Sequence, residues 1–269
     1  MGDRTLAVLE TMVARPGNTA VLSISELAAQ SDVDPSTLTR LGQRLGFSGF
    51  GPLQDIFRDH VAATQPFYSR RVQELVEHDA ANSDHLRHLA GVECKKVLAT
   101  ANGLDDSDVE RAVDHLVKAK HVHVLGLRST YAISYFFGSF LGTLREGVSI
   151  MGGPGFPITS ELSRIGKDDV LVVVSYHPYT KALVKAVELI RASGTPIISL
   201  TDTGPTLEIA PSQGVTLKVD QAFYFDSALS QFYVAQAVLV ALARRLGPQA
   251  VAMTAKREQF NKALDIETG

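Results

Sequence analysis

The spacing of apolar residues changes once along this chain. Up to about residue 120 they recur every three or four positions. From residue 121 onward, short continuous apolar runs alternate with helical stretches. The first pattern predicts amphipathic helices and the second predicts strands alternating with helices. TLAVLETMVA (5–14) puts Leu6, Leu9 and Val13 on one helical face. In SISELAAQ (23–30), Ile24, Leu27 and Ala28 form a stripe, with Ser23 and Glu26 spaced as a capping box. DPSTLTRLGQRLGFSGF (34–50) opens on Asp34 as N-cap and Pro35 at the first helical position. At about 100° per residue, Leu38, Leu41, Gly42 and Leu45 face inward, and Ser36, Thr39, Arg40 and Gln43 face outward. Gly42 predicts close approach by another helix, and Gly46 stops the element. PLQDIFRDHVA (52–62) predicts a further helix with Leu53, Ile56, Phe57 and His60 in register.

Two short helices joined by a few residues are the helix-turn-helix layout, whose second helix enters the major groove. The spacing of Ala28, Asp32, Val33 and Leu38 agrees with it, Asp32 standing at the turn position that needs positive φ. On this reading Ser36, Thr37, Thr39, Arg40, Gln43 and Arg44 face operator DNA. The alternative is a helix pair whose polar face is merely solvated. Residues 1–64 hold five basic and seven acidic side chains, a net of −2, so no broad basic field marks a nucleic-acid surface. Arg40 and Arg44, one turn apart, put positive charge only where the groove would lie.

Residues 64–120 read as helical and largely charged, ending in DDSDVERAVDHLVKAK (105–120). The strands follow: HVHVLGL (121–127), GVSIMGG (147–153), DDVLVVVSY (168–176), GTPIISLTD (194–202) and GVTLKVD (214–220). The second, third and fourth are near-continuously apolar, as strands buried on both faces are. Helices are expected over 129–145, 157–166, 179–193 and 226–246, with a short one near 206–211. Such alternation predicts a parallel sheet with ligands bound beyond the carboxyl ends of its strands. Those ends lie at 125–130, 151–156, 175–181, 201–204 and 220–227. Several carry Ser and Thr at helix N-termini, which suit an anion, although both residues are also ordinary caps.

Composition narrows the function classes. The chain has 269 residues, 45% hydrophobic and 20% charged, with a net charge of −3. That is ordinary globular content, enough for two modest domains, with no bulk field to draw membrane or nucleic acid. Cys94 is the only cysteine, which excludes a disulfide scaffold and CxxC metal sites and predicts a reducing compartment. His78, His85 and His88 lack a completing carboxylate or Cys pattern, so a solvated face is expected and no metal. The N-terminus has no apolar signal core. The most apolar helix, FYVAQAVLVALA, has 12 residues, against the about 20 that a membrane span needs. A cytoplasmic protein without a membrane partner is expected.

The order of the parts resembles the RpiR-type bacterial transcription regulators, an N-terminal helix-turn-helix ahead of a sugar isomerase (SIS) domain. The resemblance rests on ISELAAQSDVDPSTLTRLGQRLGFSGF in the first half. In the second it rests on HVLGLRST, DDVLVVVSYHPYTKALVKAVELIRASGTPIISLTD and DSALSQFYVAQAV. It implies an α/β protein: an all-α helix-turn-helix domain at 1–76, a helical connector at 77–120, and a SIS domain at 121–269. The SIS part would be a five-stranded parallel, flavodoxin-like α/β/α sandwich that binds phosphosugars. Of the family's phosphate loop, Ser-x-Ser-Gly-x-Thr, Ser175 and Thr180 match, whereas His177 and Pro178 replace the second Ser and the Gly. Pro178 removes a backbone donor. In the first loop Gly126 matches, Arg128 stands where a second Gly is common, and Thr130 takes the usual Ser place beside Ser129.

The expected effector set is therefore Arg128, Ser129, Thr130, Ser175, His177, Thr180, Lys181 and Ser227 around a phosphosugar or sugar acid. Arg128, His177 and Lys181 would supply charge in place of lost amides. Alternatively, Arg128 only pairs with Asp226 or another carboxylate across the cleft. The function expected is a ligand-responsive regulator with no catalytic residue and no cofactor. The alternative is a phosphosugar isomerase with an accessory helical domain, drawing its acid and base from Glu161, His177, Glu208 and Asp226. One helix-turn-helix reads few base pairs, so a homodimer or homotetramer is expected, spanning half-sites about 34 Å apart, with helix 226–246 as a candidate interface.

Overall fold

The computed structural model describes residues 3–14, 16–64, 72, 85–153, 157–202, 205–219 and 228–266. The chain divides into two compact units, residues 1–82 and 83–269. The first holds α1 (Asp3–Ala14), α2 (Pro16–Val21), α3 (Ile24–Gln30), α4 (Pro35–Arg44) and α5 (Phe50–Thr64). Their local signals are realised. Ser23 and Glu26 close the capping box on α3, and the Asp34 carboxylate accepts from the Ser36 amide ahead of Pro35. The core between them is Val8, Met12, Leu27, Ala28, Leu38, Leu41, Phe50 and Leu53.

Two stripes differ in part from expectation: Leu9 of α1 and Leu53 and Phe57 of α5 pack on the core as expected, and other members do not. In α1, Val8 and Met12 point inward, while Leu6 and Val13 are exposed. Both sets have helical spacing, so periodicity alone does not choose between them. The choice is made by α2, which follows at once and whose buried Thr19 donates to the Met12 carbonyl (3.0 Å). In α5 the inward face is Phe50, Leu53 and Gln54, and Ile56 and His60 are exposed. The Gln54 amide donates to the carbonyls of Thr19 (2.9 Å) and Leu22 (2.7 Å), and Arg58 Nε donates to that of Ala20 (2.9 Å). These bonds satisfy carbonyls at the end of α2 that its helix leaves open, so a polar residue takes a core position.

The second unit runs α6 (His85–Gly103), α7 (Asp106–Lys118), β1 (Val122–Gly126), α8 (Thr130–Leu144), β2 (Val148–Met151), α9 (Ile158–Leu162) and β3 (Val170–Val174). It continues with α10 (Lys181–Ala192), β4 (Ile197–Thr201), a 3₁₀ turn (Pro205–Leu207), β5 (Gly214–Lys218), α11 (Leu229–Leu246) and α12 (Pro248–Ala263). The five strands are parallel, in the order β2-β1-β3-β4-β5. This is the flavodoxin-like order, an α/β/α sandwich.

Apolar side chains of α7, α8 and α11 cover one face of the sheet, and those of α9 and α10 cover the other. The 105–120 segment is thus a packed helix, with Val109, Ala112, Val113 and Leu116 in the sheet core. β1, β3 and β4 are buried throughout. β2 is not, contrary to its apolar sequence: it is an edge strand, and Ser149 is exposed. α12 was not anticipated. It starts after Gly247, whose φ is 52°, and buries only Ala250.

A polar knot ties the amino-terminal edge of the sheet. Asp169 accepts from the amides of His121 (3.1 Å) and Gly166 (2.7 Å), and its carboxylate also lies 3.0 Å from His121 Nδ1 and 3.5 Å from His123 Nε2. His123 Nδ1 lies 2.7 Å from the Ser149 hydroxyl.

Candidate DNA-reading helix and effector cleft

The link between α3 and α4 is set by Asp32, whose φ is 49°, and by the Val33 amide donating to the Ala28 carbonyl (3.0 Å). The Asp34 cap bond to Ser36, the largest cause, holds that carboxyl below its ordinary value. At the far end, Phe47 donates to Gly42 (3.0 Å) and Gly46 to Gln43 (3.1 Å), with Gly46 at φ 91°. These are the paired bonds of a Schellman stop. Leu45, expected inward, is exposed because it is already the cap. Gly42 is buried, and a Cβ there would stand 2.1 Å from the Gly49 carbonyl oxygen. The close neighbour is therefore the backbone leading into α5, not the body of another helix. Between these fixed ends, Ser36, Arg40, Gln43 and Arg44 are exposed, and Thr37 and Thr39 are half-buried. The Thr39 hydroxyl reaches back to the Pro35 carbonyl (3.4 Å).

In the second unit, chain direction across the sheet reverses between β1 and β3, which opens a crevice at their carboxyl ends. The loops after these two strands carry seven of the eight expected effector residues. Arg128 and Ser129 are exposed, and Arg128 has φ 60°. That conformation accounts for the glycine common at this place in related loops. Across the crevice, the Ser129 hydroxyl lies 2.9 Å from that of Tyr176. Thr130 is buried, and its hydroxyl donates to the Leu127 carbonyl (2.9 Å) while accepting from the Leu127 amide (3.1 Å). Its function is to clasp the turn. Gly126 lets α8 lie close, since a Cβ would stand 2.1 Å from Ser134 Oγ.

On the β3 side, Ser175 is buried, and its amide donates to Leu200 (3.2 Å). The His177–Pro178 peptide is cis. The His177 amide donates to one oxygen of Asp202 (3.0 Å), and the Tyr179 hydroxyl donates to the other. The His177 and Tyr179 rings meet edge-on. Thr180 is the N-cap of α10 but makes no side-chain cap bond, and Lys181 is exposed on the first turn. Ser227 and Asp226 lie outside the described residues. Sequence reasoning missed Asp202 as the anchor of this loop. It lies just after β4, in the strand end 201–204 marked from the sequence, and only the fold shows what it grips.

Of the three carboxylates considered for acid–base chemistry, the two among the described residues have other partners. Glu161 accepts from the Gly152 amide (3.1 Å), and Glu208 pairs with Lys218 (3.0 Å) at the surface. Among the described residues there is no group of three His, Cys, Asp or Glu able to hold a metal ion. No described helix is long and apolar enough to cross a membrane.

A capped helix-turn-helix ahead of a flavodoxin-like parallel α/β sheet defines a two-part class of protein, a DNA-binding type of helical unit followed by an α/β unit. Comparison with known proteins agrees. Residues 3–63 match the rpiR-family helix-turn-helix domain, and residues 115–243 match the SIS domain. The chain belongs to the RpiR-type family of transcription regulators. It is 26% identical to the HTH-type transcriptional regulator HexR of Escherichia coli K12, over 96% of this chain and 91% of that one. The sugar isomerase domain of an RpiR transcription factor from Sphaerobacter thermophilus superposes with TM-score 0.60 at 22% identity, covering 66% of this chain and 99% of that one. NanR of Vibrio vulnificus, solved with ManNAc-6P, superposes with TM-score 0.63 at 14% identity, covering 98% of this chain and 94% of that one.

Proposed function

We propose that the protein is a cytoplasmic, homo-oligomeric regulator of a sugar pathway. Its N-terminal domain (1–76) reads operator DNA, a connector (77–120) follows, and its SIS domain (121–269) senses a phosphosugar or sugar acid. The observation that carries this is the joining of a capped reading helix to a crevice that has hydroxyls and cations on both walls. Arg128 and Ser129 stand on one wall, and Ser175, His177, Thr180 and Lys181 on the other. Ser36, Thr37, Thr39, Arg40, Gln43 and Arg44 are assigned to DNA. Thr130 serves the effector by shaping its loop, and Ser227 is assigned to the effector. That NanR was solved with a sugar phosphate supports the ligand class.

Binding without turnover is the reading favoured over isomerisation. Of the carboxylates that could serve as acid and base, Glu161 and Glu208 are committed to a loop amide and a surface lysine. The test is a thermal-shift screen of sugar phosphates and sugar acids, run with product analysis. A ligand at a hundredfold excess over its dissociation constant adds about 2.7 kcal/mol of stability to the folded state. Arg128→Ala with Ser175→Ala should erase the upward shift. Isomerised product in the assay, or an unchanged shift in the double mutant, would overturn the reading.

A further inference from the structure

Two helices on one face of the sheet turn polar where they reach its carboxyl edge. The buried stripe of α11 runs Ser230, Gln231, Val234, Ala235, Val238, Leu239, Leu242. That of α8 runs Thr130, Ile133, Ser134, Phe137, Gly138, Leu141. In both, the hydrogen-bonding members are confined to the beginning. The helices are neighbours: Phe136 meets Phe232 edge-on with ring centroids 5.1 Å apart, and both helices line the same core. Thr130 has its partners in Leu127. Ser134 Oγ, Ser230 Oγ and both amide atoms of Gln231 are buried and have no hydrogen-bond partner among the described residues. A buried amide with nothing to bond is worse than an apolar residue of the same size. A position that only had to be filled would be expected to carry Leu, as later positions of α11 do. Ser134 Oγ lies against Gly126, two residues before Arg128.

We propose that Ser134, Ser230 and Gln231 recognise the uncharged hydroxyl and carbonyl groups of the effector, while Arg128, Ser129, Ser175 and Thr180 hold its anionic head. This rests on the effector cleft proposed above and adds what that cleft selects. A side-chain amide offers two donors and a carbonyl acceptor, and each hydroxyl offers one donor and two lone pairs. That set matches the hydroxyls of a carbohydrate and not a second anion, since none of the three residues is charged. The occupant is a carbohydrate whose phosphate or carboxylate sits beside free hydroxyls. Among the described residues these groups have no partner, and the bound effector supplies one. The effector therefore favours the bound arrangement over the free one, and this difference in affinity is the one thing that lets a ligand shift an equilibrium.

Calorimetric titration of the full chain with inorganic phosphate, glucose 6-phosphate, fructose 6-phosphate and 6-phosphogluconate tests it. Gln231→Leu should weaken the best-binding sugar phosphate about tenfold or more. It should leave inorganic phosphate unchanged and leave the ligand-free melting temperature equal or higher. Ser230→Ala and Ser134→Ala should act in the same direction and stand in if Gln231→Leu does not fold. Arg128→Ala should weaken phosphate and sugar phosphate alike. Wild-type affinity for the sugar phosphate in all three polar variants overturns this assignment and leaves the cleft standing. A lower ligand-free melting temperature in Gln231→Leu, with unchanged affinity, assigns Gln231 to the core and overturns it too. Failure of the wild type to bind any of the four overturns the cleft reading and this one with it.

Discussion

Single residues carry the DNA-reading half. Arg40 and Gln43 stand exposed on a helix that is capped at one end and stopped at the other, so their truncation should change contacts and not fold. A good Arg–guanine or Gln–adenine contact is worth about 1–3 kcal/mol of discrimination. Arg40→Ala should lose operator retention in a gel shift with an unchanged circular dichroism spectrum. Wild-type retention would remove α4 from the groove. Gly42 is the opposite case. Its missing Cβ makes room for the Gly49 carbonyl, and overpacking of this kind costs about 1–3 kcal/mol. Gly42→Ala should lower the denaturation midpoint of the N-terminal unit, and an unchanged midpoint would contradict the packing described.

His123 gives a pH signature. Burial holds its imidazole below the ordinary value, against the pull of Asp169. The folded state therefore binds fewer protons than the unfolded chain, whose histidines titrate near about pH 6.5. This contribution is complete above that pH and is lost as pH falls through the lower folded value. Asp169, held below the usual carboxylate range by the Gly166 amide and the two histidines against its own burial, adds a second loss only in more acid solution. Urea midpoints should fall between pH 7.5 and 5.5, and His123→Gln should flatten that fall. Part of it should remain, because His115 is also lowered by burial, with Lys118 adding to the effect. An equal slope in wild type and mutant would contradict this.

At the scale of elements, apolar periodicity located the helices and strands it was strong enough to mark. The five strands fall within the five apolar runs, and the capping box and the Asp34–Pro35 start are where the sequence put them. In α1 and α5 it marked Leu9, Leu53 and Phe57, which pack on the core, but also Leu6, Val13, Ile56 and His60, which are exposed; two helical stripes of α1 are apolar, and α2, a six-residue helix, decides which turns inward. β2 was read as doubly buried because an edge strand and a central strand can share one composition. Which strand is the edge is a property of topology.

The loops proposed to hold the effector stand at strand ends whose hydroxyls the sequence marks, and parallel topology brings them to one edge. The clasp role of Thr130 and the grip of Asp202 were not legible, because each depends on a partner that the sequence does not place. Asp202 binds the β3 loop through the His177 amide and the Tyr179 hydroxyl. Hydrogen bonds to a charged group contribute about 1.5–3 kcal/mol each, and both donors here are half-buried. Asp202→Ala should thus weaken sugar-phosphate binding roughly tenfold or more while DNA retention is kept. Unchanged affinity would show that the loop holds its shape without this anchor.

For the whole molecule, the two units have separate cores, so effector and DNA communicate only if binding in one changes the arrangement of the other. Reading two half-sites requires at least two copies. Light scattering at micromolar concentration should therefore give a particle of at least twice the 29.0 kDa chain mass, and a monomer would contradict the proposed assembly. The central claim is the coupling itself. Operator affinity should be measured by fluorescence anisotropy on DNA from the upstream region of the protein's own gene, with and without the sugar phosphate or sugar acid that most raises the melting temperature. The expected change in wild type is about 5- to 150-fold, the range of a 1–3 kcal/mol coupling. The Arg128→Ala, Ser175→Ala double mutant should bind the same DNA as tightly as ligand-free wild type and show no change on adding ligand. A ligand that stabilises the protein yet leaves DNA affinity unaltered, or a double mutant that responds as wild type does, would contradict the account.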